Sequence, residues 1–337
     1  MRVLVTGGCG FIGSCFVRLA LARGAEVVNL DKLTYAGNPA NVAEVADHPR
    51  YSFVRADIAD AVAVRGAIEG ADAVVNLAAE SHVDRSILEP ADFIRTDVVG
   101  TAVLLDAARE AGVGRFVQVS TDEVYGSIAS GAFRESDPVS PSSPYSASKA
   151  GGDLQVLAWH RTFDVDAVVT RGSNTFGPRQ YPEKLIPLFV TNALDGEPLP
   201  VYGDGMQVRD WIHVEDHCEG IWTAMERGEA GGVYNVGGGN EVPNLEITRR
   251  ILGLTGRDES LIRHVADRPG HDRRYSLDTA KAREELGWEP RTRLVQAFPL
   301  TAAWYAANRA WWEPIKASGG YRDYYEKQYA SRLAGSS

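Results

Sequence analysis

Short apolar runs alternate along the first half of the chain with longer segments whose apolar residues recur every three or four positions. Residues 2–6, 26–30, 51–54, 73–77, 115–120 and 166–170 are the short runs, rich in β-branched side chains and lacking polar alternation. Runs of that length and composition read as strands buried on both faces. Helical spacing follows the first run to about Arg23, and recurs from about Pro90 to Ala111 and from Tyr145 to about Phe163, the last entered through Pro141 and Pro144. Strands alternating with helices predict an α/β fold with a doubly wound parallel sheet. Past Arg171 the texture changes, with Pro178, Pro182, Pro187, Pro198 and Pro200 scattered among loops and short elements, and Gly203 and Gly205 behind them. The chain is therefore expected to divide into residues 1–172 and a smaller, mainly C-terminal domain over 173–337, with 207–235 returning to the first. Residues 334–337 read as a frayed end.

Composition narrows the function classes. The chain has 337 residues, is 44% hydrophobic and 24% charged, and carries a net charge of −10. A balance that acidic argues against a nucleic-acid surface. Cys9, Cys15 and Cys218 form no C-x-x-C pair, so neither a disulfide framework nor a zinc site is expected, and a reducing compartment is. No stretch approaches the ~20 apolar residues of a spanning helix and no signal peptide is evident, which points to a cytoplasmic protein without a membrane partner.

Candidate chemistry begins at the first strand, which runs into Gly7-Gly8-Cys9-Gly10-Phe11-Ile12-Gly13. The glycines at 7, 10 and 13 allow a tight turn, a close approach to a pyrophosphate, and packing of the next helix on the strand. The free N–H groups of that helix favour the anion. A strand, then such glycines, then a helix is the context of a dinucleotide fingerprint, and it makes the predicted sheet a Rossmann-type one. A glycine-rich turn without a ligand is the competing reading. Asp31 lies 18 residues past Gly13, near the ~20 expected for a carboxylate on a ribose hydroxyl. It would repel a 2′-phosphate, so NAD is expected rather than NADP, with Lys32 softening the preference. Asp57-Ile58 follows the third strand, where it would cap an adenine edge. After the fourth, Ala78-Ala79-Glu80-Ser81-His82 offers small residues that admit a cofactor.

The fifth strand delivers Ser120-Thr121-Asp122-Glu123, a hydroxyl and two adjacent carboxylates at a strand end that faces the ligand crevice of an open α/β sheet. Tyr145 and Lys149, four apart on one helix face, bring an ammonium beside a phenol and predict a lowered phenol pKa suited to a base. Each pattern has a plainer reading: Thr-Asp-Glu also suits a helix N-cap with acidic first-turn residues, and Tyr-x-x-x-Lys also arises by chance. Residues 181–187 and 267–273 read equally as phosphate-gripping loops or as surface loops. His213 and His217 lack a third ligand, so no metal is expected. Gly237-Gly238-Gly239 lacks the dinucleotide spacing and reads as a loop, and Trp304, Trp311 and Trp312 as packing residues of a C-terminal helix.

Gly7-x-x-Gly10-x-x-Gly13, Tyr145-x-x-x-Lys149 and the length together resemble the extended short-chain dehydrogenase/reductase superfamily. Within it the chain is similar to the dTDP-glucose 4,6-dehydratases, a family of sugar-nucleotide dehydratases. The likeness runs nearly end to end, through residues 31–35, 78–86, 120–126, 144–149, 182–187, 209–211 and 267–271. Thr121-Asp122-Glu123 sets it apart from the sugar-nucleotide 4-epimerases, which lack the acidic pair. The resemblance implies that Tyr145, assisted by Lys149, takes the C4 hydroxyl proton as hydride passes from C4 to NAD. Glu123 then removes the C5 proton, Asp122 protonates the departing C6 hydroxyl, and the hydride returns to C6. Thr121 would hydrogen-bond the C4 oxygen. By the same resemblance Phe11, Ile12, Thr34, Leu77, Ser81, Thr96 and Ser120 complete the cofactor site. Ser81, His82, Asn174, Glu183, Lys184, Leu185 and Pro200 would meet the nucleotide sugar, as would Tyr202, Arg209, Asn244, Arg268 and His271. UDP- and GDP-sugar dehydratases share the same or a related acidic pair and remain alternatives for the base, with a 4-epimerase behind them. Asn174-Thr175-Phe176-Gly177 and Arg179-Gln180-Tyr181 depart slightly from the family wording, which bears on nucleotide fit. A homodimer is implied too, its four-helix bundle built from the helices that carry Val98, Val99, Leu104, Leu105, Leu154, Val156 and Leu157.

Overall fold

A computed structural model describes residues 1–330 and 333, so the expected fraying of 334–337 lies outside the described residues. The chain opens with β1 (Arg2–Thr6), α1 (Phe11–Ala22), β2 (Glu26–Asp31), β3 (Tyr51–Arg55), α2 (Ala61–Ile68) and β4 (Ala73–Asn76). Short helices α3 (Val83–Leu88) and α4 (Pro90–Phe93) lead into α5 (Thr101–Glu110), β5 (Arg115–Thr121), α6 (Pro144–Phe163) and β6 (Ala167–Gly172). Then come β7 (Asn174–Phe176), α7 (Leu185–Asp195), β8 (Leu199–Tyr202), β9 (Val208–His213), α8 (Val214–Arg227), β10 (Val233–Val236) and β11 (Glu241–Pro243). The chain closes with α9 (Asn244–Thr255), β12 (Ile262–Val265), α10 (Leu294–Ala307), α11 (Arg309–Ala317) and α12 (Gly319–Tyr325).

Seven strands form the main sheet in the order β10-β6-β5-β4-β1-β2-β3, every neighbouring pair parallel. Alternation along each strand explains the continuous apolar runs. Val3, Val5, Val75 and Val117 join a core with α1 and α8 on one face, while Leu4, Val74 and Phe116 join one with α2, α5 and α6 on the other. Because β1 leads outward to β2 and β4 leads the opposite way, the strand order reverses between them, and a crevice opens beyond their carboxyl ends.

The second core is built by α7, α9 and α10 with β8 and β9. Two small sheets, β11-β9-β7 and β12-β8, frame it. The chain returns to the first domain through α8 and β10, which pairs with β6, whereas β9 stays in the small sheet. Trp304 lies on α10 and Trp311 and Trp312 on α11, two helices rather than one; Trp311 Nε1 donates to Asn41 Oδ1 at 3.0 Å and ties the two domains.

The expected helix over 90–111 is interrupted by a wide π turn, Ile94–Gly100, a form common at functional sites. It packs closely on α6: a Cβ on Gly152 would lie 2.8 Å from the Asp97 carbonyl, and one on Gly151 would lie 2.8 Å from Val98. Of the apolar positions expected to face a partner subunit, Leu104, Leu105 and Val156 are instead fully buried in this chain's own core. Val99 and Leu154 remain outward at 47% and 55% exposure, joined by Ile94 and Phe163.

Candidate active site

The glycine turn has the shape its spacing predicts. Gly7 sits at φ +67°, and a Cβ on Gly13 would come within 2.1 Å of the Gly7 carbonyl oxygen, so only glycine allows α1 to start this close to β1. The Gly7 N–H donates to Leu30 O at 2.9 Å. Asp31, buried at the end of β2, accepts from the N–H of Cys9 at 2.9 Å and of Leu33 at 2.8 Å. Its carboxylate thus stands fixed at the crevice mouth, with lone pairs to spare for a hydroxyl. Lys32 turns aside to pair with Glu80 at 3.3 Å and to donate to Thr96 at 3.2 Å. Gly10, Phe11, Ile12, Thr34, Ile58, Leu77, Ala78, Ala79, Ser81, Thr96 and Ser120 line the same cleft. Asp57 does not: it caps its own turn through the Ala59 N–H at 2.9 Å. The bare N-terminus of α1, the narrow glycine cradle and the acidic group beyond it fit a dinucleotide with a free ribose hydroxyl.

At the end of β5 both readings of Thr121-Asp122-Glu123 hold. Thr121 caps a 3₁₀ turn, Asp122–Tyr125, by accepting from the Glu123 N–H at 3.2 Å. The same turn aims both carboxyls into the cleft. Their environments differ. Burial, then Glu123 and Asp210, push the Asp122 carboxyl well above the usual range. Burial also raises Glu123, but Arg268, Arg209 and Lys184 oppose that rise. Both carboxyls are thus pushed up, Asp122 the more strongly, while the cations around Glu123 hold its rise back, a difference of surroundings that can give adjacent acids different roles.

Tyr145 enters from α6, whose N-terminus is set by Ser143 and Ser146 in a reciprocal cap with Pro144 at the first position. Thr121 is its hydrogen-bond neighbour. The expected lowering of the phenol pKa is overturned: burial, then Glu123 and Asp97, push Tyr145 well above its ordinary value. Three carboxyls, Glu123, Asp97 and Asp122, act on it, and the Lys149 ammonium is anchored by donation to Val119 O at 2.9 Å. Asp97, which sequence reasoning missed, is one of those three. The π turn carries it into the interior, where it accepts from Ser148 Oγ at 2.6 Å and burial raises it to about 6.

A second cleft adjoins the first, and the two meet at Glu123, Asn174 and Lys184. His82, Glu183, Leu185, Pro200, Tyr202, Arg209, Asn244, Arg268 and His271 line it, so every expected substrate residue reaches one cleft or the other. Arg268 donates to Asp84 Oδ1 at 3.0 Å and Tyr202 to Asp84 Oδ2 at 2.8 Å. Arg85 holds Glu183 at 2.9 Å, and the Lys184 ammonium donates to Ser81 O. Buried Asn174 Oδ1, Asn244 Oδ1 and Arg268 Nε have no hydrogen-bond partner among the described residues, which fits a wall built for a polar ligand. Burial depresses both His213 and His217, the latter to about 4. Among the described residues no group of three candidate ligands could hold a metal. Asp272, in the 267–273 loop, accepts from the Tyr275 hydroxyl at 2.7 Å. Missed from sequence were Tyr275, whose hydroxyl lies 3.4 Å from Glu123 Oε2, and Gln328, which donates to the Tyr202 hydroxyl at 2.5 Å. No local pattern marks them.

Fold and site together define a dinucleotide-dependent enzyme of the short-chain dehydrogenase/reductase type, with an acid–base pair added to the tyrosine and lysine. A family model described as GDP-mannose 4,6 dehydratase matches residues 4–299. A dTDP-glucose 4,6-dehydratase of Streptomyces niveus is 55% identical over 94% of this chain and 96% of its own. The solved structure of DesIV, a dTDP-glucose 4,6-dehydratase from Streptomyces venezuelae with NAD bound, superposes with a TM-score of 0.93 at 55% identity, over 94% of this chain and 100% of that one. A UDP-glucose 4-epimerase of Thermus thermophilus in complex with NAD reaches a TM-score of 0.85 at 32% identity, over 91% of this chain and 100% of that one. The chain belongs to the family of sugar-nucleotide 4,6-dehydratases.

Proposed function

We propose that this protein is an NAD-dependent hydro-lyase that converts dTDP-glucose to dTDP-4-keto-6-deoxyglucose and water. The observation that carries the reading is the adjacent acid pair beside Tyr145, at the junction of a dinucleotide cleft and a polar second cleft. NAD in the first cleft supplies a hydride acceptor and, at the end of the cycle, a hydride donor, so no external oxidant is consumed. The glycine turn and the N-terminus of α1 hold its pyrophosphate, and Asp31 accepts from the adenosine ribose.

In the second cleft Arg209 and Arg268, with Lys184 beside them, match a diphosphate in charge. Burial and the nearby carboxyls hold the Tyr145 phenol protonated without cofactor; the positive charge of a bound nicotinamide, with Lys149, would favour the phenolate that takes the proton of the sugar C4 hydroxyl, while Thr121 donates to the C4 oxygen. A ketone at C4 acidifies the C5 hydrogen, which Glu123 removes as a general base. Asp122, protonated in its buried place, gives its proton to the C6 oxygen as that leaves as water. Val99 and Leu154 outside and the tight packing of α6 on the π turn support a homodimer through these helices. Cys9, Cys15 and Cys218, all free and buried, support a reducing, cytoplasmic setting. Among the described residues no helix is long and apolar enough to cross a membrane.

Incubation with dTDP-, UDP- and GDP-linked sugars tests the reading by the alkaline absorbance of the 4-keto product. The dTDP-glucose sample is expected to develop it without added oxidant. A C4 epimer as main product would replace the reading with epimerisation, and NADH accumulating in step with product would replace it with simple dehydrogenation.

A further inference from the structure

A base that has taken the C5 proton holds it until one returns to C5 and can exchange it with solvent in the meantime, although a nucleotide sugar bound where the two clefts meet would cover Glu123. We propose that Tyr275, Asp272 and Ser142 form a proton path joining Glu123 to solvent; the inference rests on the dehydratase reading above. The Tyr275 hydroxyl lies 2.7 Å from Asp272 Oδ2 and 3.4 Å from Glu123 Oε2. It has a single hydrogen, and the shorter contact directs it to Asp272. A lone pair of the phenolic oxygen is thereby left towards Glu123. On its other side the same Asp272 oxygen accepts from the hydroxyl of Ser142. Tyr275 is 2% exposed and Asp272 9%, while Ser142 is exposed. The chain of groups thus begins at Glu123, half-buried where the two clefts meet, and ends at water.

Proton transfer along it balances group by group. Glu123, protonated by C5, donates to the Tyr275 oxygen as the Tyr275 hydrogen passes to Asp272. Asp272 then gives its proton to solvent at Ser142, and the phenol is neutral before and after. Re-protonation at C5 runs the same steps backwards. Burial, then Glu123, hold the Tyr275 phenol well above its ordinary pKa, so the path works by concerted hopping without a free phenolate. The ring is held in place for this: the Arg209 guanidinium lies 4.2 Å from its centroid, and the Tyr275 N–H donates to Val208 O at 3.3 Å. The supporting loop is fitted to Ser142 as well. Gly270, at φ +65°, comes so close that a Cβ there would lie 2.7 Å from Ser142 O.

The test is turnover in heavy water, with deuterium at C5 of the 4-keto product read by NMR. Native protein is expected to give product deuterated at C5. Tyr275→Phe keeps the ring on Arg209 but breaks the path, and Asp272→Asn keeps a hydrogen-bonding shape that carries no proton. Both are expected to turn over while the ratio of C5 exchange to product falls several-fold. Ser142→Ala, at an exposed position, carries the same readout where either variant fails to fold. Full C5 deuteration by the variants overturns the path, as does native product that keeps its C5 hydrogen. A folded variant that forms no product also overturns it, because the path serves exchange and not elimination. Failure of native protein to form any keto sugar would instead remove the dehydratase reading itself.

Discussion

Two carboxyls adjacent in sequence meet different surroundings. Asp122 is raised by burial, Glu123 and Asp210 against Arg209, whereas at Glu123 the rise from burial and Asp272 is opposed by Arg268, Arg209 and Lys184. Replacing Glu123 by Gln removes the base without changing its size. Net dehydration should fall by ~10²–10⁴-fold, the span of general acid–base effects, while C4 oxidation stays visible in single turnover as the near-ultraviolet absorbance of bound NADH. Dehydration at the native rate would take the role from Glu123. Asp97 offers a test that combines stability with pH. Its carboxyl rises to about 6 in the fold, against ~3.9 in an unfolded chain. Below ~3.9 both states hold the proton and the group costs nothing. As pH rises through that window the unfolded chain releases its proton first, and the fold loses on the order of 2–3 kcal/mol. Asp97→Asn should therefore melt above the native protein at about pH 8, with the gap closing towards about pH 4. A gap that stays constant with pH would exclude a titration of Asp97 as its cause.

At the scale of elements, β1, β2, β4, β5 and β6 were legible because both faces are buried, as in Arg2–Thr6; β3 was read as equally buried but lies at the sheet edge with Phe53 42% exposed, and β10, the strand of the opposite edge, was not among the runs. The glycine turn was legible for a similar reason, since steric exclusion leaves glycine alone at positions 7 and 13. The π turn was not, because one extra residue in a turn leaves helical spacing on either side nearly intact. Nor were β7, β8, β11 and β12, three or four residues each, whose pairing is decided by partners far along the chain. Tyr275 acts on a residue 152 positions away, which no local pattern encodes. The seam between α6 and the π turn sets the place of Tyr145, Lys149 and Asp97 together. Gly152→Val would drive a side chain into the Asp97 carbonyl. It should lower stability by ~1–3 kcal/mol, as overpacking does, and reduce turnover more than it weakens nucleotide-sugar binding. A denaturant midpoint equal to that of the native protein would show that the seam can relax.

Across the whole molecule, two cores meet along a line that carries Glu123, Asn174 and Lys184, so neither domain alone completes the site. Assembly adds a further level: light scattering at micromolar concentration should give the mass of a dimer, and Leu154→Glu, at a 55% exposed apolar position, should give that of one chain. A native monomer would defeat the bundle. Cysteine burial is equally a property of the entire fold. Cys9, Cys15 and Cys218 are 1%, 8% and 0% exposed, so all three thiols are withdrawn from water. The native chain is consequently a ready background for site-specific labelling. A cysteine introduced at Val62, 80% exposed on α2, would take a maleimide dye far ahead of the three resident thiols, and a fluorescent reporter could be placed on the surface without first rebuilding the interior.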